Sequence, residues 1–325
     1  MPRIDAHTHL VGDHAQTVAL LEELDLKVLN IGVAESDGRP WREHLAMYRQ
    51  LADEHPNRYA WVTTFDLPDC DDPHYADRAI EALDRDFAAG AVGCKVWKNV
   101  GMEIHKPDGQ HLLVDDPVFE PIFAHLEKIG RPLLMHIAEP LACWLPPTKG
   151  DPHYEYFIRH PEWHMYGRDD VMSHAELMAA RDRVVERHPN LRVIGAHLGS
   201  LEYDLNEIAS RFDRYPNFAV DTAGRLFDLT HYCDASSLRK FLVRYQDRVL
   251  WATDLVRFKA HSSLTDEQRE DDLGHIRRQY GCEYDFYAND GTTWLFDRPV
   301  ERLGLPEDVL EKLFFENART WYPGV

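Results

Sequence analysis

Two histidines, His7 and His9, stand two residues apart in the segment Ile4-Asp5-Ala6-His7-Thr8-His9-Leu10. The segment alternates like a strand, so Asp5, His7 and His9 are expected on one face and Ile4, Ala6 and Thr8 on the other. Two imidazoles side by side are the beginning of a divalent-metal site. Zinc and similar ions take neutral imidazole nitrogen and carboxylate oxygen, and ligands fixed by one rigid strand lose little entropy on binding. A bare His-x-His is equally a solvated or hydrogen-bonded pair at a chain start. What separates the two readings is whether more ligands, distant in sequence, reach the same place.

The elements that would bring them there repeat along the chain. Asp13 is expected to cap a helix running to about Leu24, with Val18, Leu21 and Leu24 at helical spacing. Lys27 to Val33 then reads as a buried strand, and Pro40 to His55 as a helix that starts at a proline and carries Trp41, Leu45, Tyr48 and Leu51. Strands follow at 59–65 and 91–98, with a helix at 77–89 between them, stopped at Gly90. The alternation continues with strands near 132–137, 191–197, 217–223 and 248–253 and helices near 117–129, 174–188, 201–213 and 235–245. Eight strands alternating with helices predict an α/β fold of the (β/α)8 TIM-barrel type, one domain over residues 1–325.

Such a barrel carries its active site at the C-terminal ends of the strands, and the outward strand face must be apolar to meet the helices. With Val92, Cys94 and Val96 outward, Lys95 points in. Leu133 and Met135 outward leave His136 inward. Ile194 and Ala196 are expected to flank an inward His197, Phe218 and Val220 an inward Asp221, and Val249 and Trp251 to leave Asp254 inward. Any one of these is more often a hydrogen-bonded structural group than a ligand. Converging on one rim without a cation, they would leave desolvated polar groups costing on the order of 1–3 kcal/mol each.

Two long connections would wall this rim. Residues 140–173, with Trp144, His153, Tyr154, Tyr156, Trp163, His164 and Tyr166, are expected to form a lid inserted after the fifth strand, and 102–116, with His105 and His111, another wall. Aromatic side chains in a lid suit a substrate with an apolar or ring-shaped part, or simply pin an irregular segment down. Residues 282–325 are expected to form a C-terminal cover segment and helix, its aromatic stretch Tyr284 to Phe296 covering the barrel or meeting another subunit.

The totals narrow the partners. A chain of 325 residues with a formal net charge of -20 is poorly suited to nucleic acid or an anionic membrane, both of which need basic surface. The start Met1-Pro2-Arg3-Ile4-Asp5 has no basic-then-apolar signal pattern, and no apolar run reaches membrane-spanning length, so a soluble cytoplasmic protein is expected. The cysteines Cys70, Cys94, Cys143, Cys233 and Cys282 lie far apart without a Cys-x-x-Cys pair, which points to neither a disulfide framework nor a thiolate zinc site.

With His7-x-His9 first, His136 in Met135-His136-Ile137-Ala138-Glu139, His197 in Gly195-Ala196-His197-Leu198-Gly199, Asp254 in Ala252-Thr253-Asp254, and the closing Glu316-Asn317-Ala318-Arg319, the chain resembles the amidohydrolase superfamily. The branch is the amidohydrolase-2 group, which includes aminocarboxymuconate semialdehyde decarboxylase and related non-oxidative decarboxylases. The resemblance implies that His7, His9, His136 and Asp254 hold one divalent metal ion, zinc in most relatives, with manganese or iron as alternatives. It implies that His197 contacts water or substrate as an acid/base group and that Asp254 moves a proton. Lys95 stands where binuclear members carry a carboxylated lysine bridging a second metal. It is equally placed to bind a substrate carboxylate or to pair with Asp5 or Asp221. Relatives are often homodimers.

The first expectation is a hydrolase that directs metal-activated water at an amide, ester or lactone carbonyl of a small molecule. The alternative is a decarboxylase of an unsaturated or aromatic acid built on the same site. Candidate substrate-binding residues are Lys98, Glu139, His153, Tyr156, Trp163, Asp221, Arg225 and Arg257, the last, like Lys259, equally a surface charge. A TatD-type metal-dependent nuclease also opens Asp-x-His-x-His. It is disfavoured by Lys95, where those enzymes usually carry glutamate, and by the acidic balance. A non-catalytic binding protein would hold no metal.

Overall fold

The computed structural model describes residues 1–35, 41–68 and 72–325. Its main sheet has nine strands: β1 (Arg3–Leu10), β2 (Leu26–Ile31), β3 (Tyr59–Thr64), β4 (Cys94–Val96), β5 (Leu133–Met135), β6 (Val193–Gly195), β7 (Phe218–Asp221), β8 (Val249–Leu250) and β9 (Leu255–Arg257). They are ordered β8-β7-β6-β5-β4-β3-β2-β1-β9, and the pairs are parallel. Parallel neighbours need long crossovers, which the intervening helices supply. The backbone N–H of Ala6 donates to the Trp251 carbonyl at 3.1 Å and that of Asp254 to the His7 carbonyl at 3.0 Å, so the last strand segment lies against the first. The sheet thus closes as a (β/α)8 barrel. β8 and β9 are two halves of the eighth stave, interrupted where Asp254 adopts a φ of 58°.

Local sequence explains the helices. Tyr75–Ala88 buries Ala79, Leu83 and Phe87 at four-residue spacing. Glu120–Ile129 ends at Gly130, whose φ of 69° a side chain would resist. His174–Arg187 opens with a reciprocal box in which the Ser173 hydroxyl accepts from the Glu176 N–H and the Glu176 carboxylate accepts from the Ser173 N–H. Trp41–Glu54 buries Leu45, Tyr48 and Leu51; the expected start of that helix at Pro40 lies outside the described residues. Asp13 does not cap the first helix, Ala15–Glu23. His14 does, and the Asp13 carboxylate instead accepts from the Ser262 N–H at 2.8 Å.

The barrel interior is filled by Ile4, Ala6, Leu29, Ile31, Ala60, Val62, Leu134, Ile194, Ala219 and Leu250, with Trp321 and Tyr322 from the C-terminal helix closing the end where the strands begin. Three expectations about facing are corrected here. Val92 packs in this interior, before β4 begins, and Ile194 and Ala196 do too, on the inward side of β6. Asp5 does not share a face with His7 and His9. A register irregularity between Asp5 and Thr8 breaks the alternation, and the Asp5 carboxylate faces outward, accepting from the Thr253 N–H at 3.0 Å and the Tyr280 hydroxyl at 3.0 Å.

The tail differs from the expected cover segment at its start: residues 282–288 end the long helix Asp266–Ala288, whose Tyr280 packs edge-on against Trp251 on the outside of the barrel. A hairpin of Thr292–Leu295 and Arg298–Glu301 follows, leaving Trp294 exposed. No helix among the described residues is long and apolar enough to cross a membrane.

Candidate active site

At the rim, beyond the irregularity in β1, His7 and His9 turn toward the barrel axis. The His7 Nδ1–H donates to Asp221 Oδ2 at 2.9 Å, since a carboxylate can only accept. That bond fixes the tautomer and leaves the Nε2 lone pair available. His7 Nε2 lies 3.9 Å and His9 Nε2 3.7 Å from Asp254 Oδ1. The ligand atoms of these three residues all fall within 4.8 Å of one another. A tetrahedral ion with bonds of about 2.0–2.2 Å needs ligand atoms roughly 3.3–3.6 Å apart, so a small contraction would complete the site. Two imidazoles and a carboxylate are a donor set suited to zinc, manganese or iron.

Lys95 Nζ sits 3.1 Å from the same His7 Nε2. A cationic group thus already occupies the mouth of the cluster, as its chemistry favours. Lys95 faces His7 rather than Asp5, which lies on the other side of the strand. His136 is buried, but it stands outside the compact group of three, and its Nε2 has no hydrogen-bond partner among the described residues. Its ring centroid is 4.3 Å from that of His197.

His197 reaches the rim by a route that alternation does not anticipate. It follows β6 with a φ of 57° and ψ of 52°, a left-handed conformation that a non-glycine residue adopts only where its surroundings hold it. Two bonds hold it: its N–H donates to Asp221 Oδ1 at 2.7 Å, and its Nδ1–H donates to the Ala223 carbonyl at 2.8 Å. Asp221 is therefore the hub of the site. One oxygen aligns the His7 ring, while the other fixes the His197 backbone and also accepts from the Ala223 N–H.

The electrostatics follow from desolvation. Burial holds His7, His9, His136 and His197 well below the ordinary imidazole range, with Lys95 adding to the effect, so these rings are neutral and their lone pairs usable. Burial also lowers the Lys95 amine, opposed by Asp254 and Asp221. The Asp254 carboxyl is pushed up from the usual carboxylate range by burial, against the pull of Lys95 and Arg225, although 30% of its side chain still opens on the cavity.

The cavity above this cluster holds about 270 Å³ and is lined by His9, Lys95, His136, His197 and Asp254 together with Lys98, Glu139, His153, Tyr156 and Arg225. Lys98 is paired with Glu139 and lies 3.8 Å from the centre of the Trp163 ring. Arg225 is buried, its Nη1 donating to the Gly224 carbonyl at 3.1 Å and its Nε without a hydrogen-bond partner. The carboxylate of Asp228 is 3.9 Å away and is engaged by His153 of the segment 140–173 at 2.6 Å. The segment 140–173 is built of short helices, Leu141–Trp144, Tyr154–Arg159 and Pro161–Trp163.

Three of the candidate substrate-binding residues do not line this cavity, and of these Asp221 lies behind the cluster, where it holds His7 and His197. Trp163 lines an adjoining chamber rather than the cavity over His9 and Asp254. Arg257, at the end of β9 where that strand pairs with Leu10 of β1, is turned away, its Nε donating to Asp272 of the helix Asp266–Ala288 at 2.6 Å. Reasoning from sequence missed Val33, Glu35, Pro140, Val256 and Phe258, all of which line the cavity. Glu35 had a usable signal, since it falls a few residues past the C-terminal end of β2, where barrel loops face the site.

The sequence profile of the amidohydrolase family matches residues 4–324. A search of curated proteins returns no match. Among solved structures, 2,6-dihydroxybenzoate decarboxylase from Rhizobium is similar over 95% of this chain and 88% of its own, with a TM-score of 0.55 at 19% identity. A 4-oxalomesaconate hydratase from Rhodopseudomonas palustris gives 0.52 at 12% identity, over 95% of this chain and 80% of its own. A probable 2-pyrone-4,6-dicarboxylic acid hydrolase from Acinetobacter baumannii gives 0.50 at 9% identity, over 99% of each chain. At these identities the likeness is one of fold. The chain belongs to the amidohydrolase family.

Proposed function

We propose that this amidohydrolase is a metal-dependent hydrolase that adds water to an amide, ester or lactone carbonyl of a small molecule carrying an anionic group. The observation that carries the reading is the convergence of His7 Nε2, His9 Nε2 and Asp254 Oδ1 within 4.8 Å, with His7 oriented by Asp221. A divalent ion held there, zinc in the first instance, lowers the pKa of water toward about 7 and polarises a carbonyl. His136, with its unpartnered Nε2, is the side chain placed to join as a fourth ligand or to bond the substrate.

The protein's own groups supply the rest. Asp254, part of whose side chain opens on the cavity, takes the proton from the attacking water and passes it to the leaving group. His197, with Nδ1–H committed to the Ala223 carbonyl, presents Nε2 to the oxygen on which charge develops and exchanges a proton there. Arg225, buried with an unsatisfied Nε, and Lys95 hold the substrate's anionic group. The lid residues His153 and Tyr156 close the cavity over it.

A second reading has its own support. Lys95, Lys98 and Arg225 all line the same small cavity, so a substrate carboxylate is readily held against the metal cluster, the arrangement a decarboxylation needs. One experiment separates the two. With a panel of lactones, esters, amides and unsaturated acids in ¹⁸O-labelled water, hydrolysis places label in the product carboxylate and releases no carbon dioxide. Carbon dioxide release without incorporation of label overturns the hydrolytic reading in favour of the second.

A further inference from the structure

Two backbone interruptions carry residues of the metal cluster, and they lie side by side. In β1 the register with β2 lapses over Ala6 and His7, between the pairs Asp5–Val28 and Thr8–Asn30. In the eighth stave β8 ends at Leu250 and β9 starts at Leu255, with Asp254 in the left-handed region between them. Each interruption brings one side chain to the rim, His7 in the first and Asp254 in the second. Each also takes backbone N–H groups out of a regular ladder, and a buried N–H must find an acceptor elsewhere.

Asp5 is that acceptor for both. Its Oδ1 accepts from the His7 N–H at 3.2 Å and from the Thr253 N–H at 3.0 Å, one donor from each interruption. Its Oδ2 accepts from the Thr253 hydroxyl and, at 3.0 Å, from the Tyr280 hydroxyl of the helix Asp266–Ala288. The Thr253 hydroxyl in turn accepts from the Leu255 N–H at 3.1 Å, where β9 resumes. Asp5, Thr253 and Tyr280 are all buried. Four donors thus converge on the two oxygens of one carboxylate. An asparagine there would offer a single acceptor oxygen and turn its NH2 toward the remaining donors.

We propose that Asp5 is a positioning residue for the metal centre: by clamping the two segments that carry His7 and Asp254, it sets the separation of His7 Nε2 and Asp254 Oδ1, 3.9 Å in this structure. It faces away from the rim and touches neither ion nor substrate. Its action passes through the His7 backbone and through Thr253, the neighbour of Asp254. The backbone bond from the Asp254 N–H to the His7 carbonyl at 3.0 Å joins the same two segments and transmits the clamp to the rim. The inference rests on the metal cluster of the proposed function and is independent of which substrate bond is broken there.

The test is the zinc affinity of the metal-free full chain, measured by competition with a chromogenic chelator, beside denaturant stability on the same samples. Asp5→Asn is expected to weaken zinc binding ~10-fold, the scale on which groups behind metal ligands act. Thr253→Val, which removes only the bridging hydroxyl, is expected to weaken it by a smaller factor, and Thr253→Ser to keep most of the parent's affinity. Tyr280→Phe removes the donor on the far side of Asp5 and leaves the bonds to both clamped segments. It is expected to lower stability while zinc binds as in the parent. A purely structural role would lower stability throughout and leave the zinc affinity of the folded protein unchanged. Zinc binding by Asp5→Asn equal to the parent's, or an equal loss in Tyr280→Phe, overturns the proposal. Should Asp5→Asn fail to fold, the Thr253 pair decides: Thr253→Val with the parent's affinity overturns it. A parent chain that binds no zinc refutes the metal centre and this role together, whereas a zinc-binding chain that hydrolyses nothing refutes only the hydrolytic reading.

Discussion

The two ends of the barrel interior are built on opposed principles. Where the strands begin, Ile4, Leu29, Ile31, Val62, Leu134 and Leu250 pack against Trp321 and Tyr322, all buried and almost wholly apolar. Where the strands end, His7, His9, Lys95, His136, His197 and Asp221 are equally buried and all polar. The first end returns transfer free energy, on the order of 1.5–3 kcal/mol for each large side chain. The second costs desolvation that hydrogen bonding through Asp221 only partly offsets. The molecule therefore keeps its apolar burial at one end and, on the proposed function, its chemistry at the other.

Substitutions at the two ends should separate these properties. The largest effect is expected from Asp254→Asn, which should lower turnover by roughly 10²–10⁴-fold, the range of a lost acid/base group. Chemical denaturation of the metal-free variant should show stability equal to or above that of the parent, because a desolvated carboxylate is gone. A large loss of stability would mean that the rim, too, holds the fold together. Tyr322→Ala is the mirror experiment. Emptying a fully buried aromatic site in the plug should cost about 3–5 kcal/mol in a denaturant titration, while the turnover of the remaining folded protein stays near the parent's.

The polar cost extends to the layer behind the rim. Glu283 receives the Trp251 indole N–H at 3.0 Å, and burial raises its carboxyl from 4.5 to about 8. The folded state then keeps a proton that the unfolded state releases. Stability from this group is complete at pH values below 4.5 and is lost as the pH rises toward about 8. Glu283→Gln fixes the neutral form and should flatten that decline, by up to about 1 kcal/mol per pH unit. Denaturation midpoints of both proteins measured from pH 5 to 8 would reveal it, and parallel curves would contradict it. Smallest of all, Asp221→Asn should keep the fold yet weaken metal binding ~10–100-fold, as expected when the partner of a ligating histidine changes. Competition with a chelator would measure it.

The sequence made the barrel legible because its signals are periodic. Helix and strand patterns alternate in order, and where alternation is undisturbed it places Lys95 and Asp221 inward on β4 and β7, and His136 and Asp254 inward just after β5 and β8. It misleads where the backbone departs from a regular strand. The irregularity in β1 sends Asp5 out toward Tyr280, opposite to His7. His197 follows two inward residues, Ile194 and Ala196, and reaches the rim only through its left-handed turn. No local pattern announces either event. The loop residues Val33, Glu35 and Phe258 were missed because connections carry no period, and nearness in sequence left Arg257 open between an anion-binding group and a surface charge, whereas Asp272 holds it away from the site.

The account rests on a cation shared by His7, His9 and Asp254, and a metal-resolved crystal structure tests it directly. Anomalous scattering above and below the absorption edge of the metal found by elemental analysis should show one principal ion per chain. His7 Nε2, His9 Nε2 and Asp254 should lie at about 2.0–2.2 Å from it. Well-ordered protein with Lys95 still bonded to His7 and no anomalous peak at the rim after incubation with zinc or manganese would contradict it.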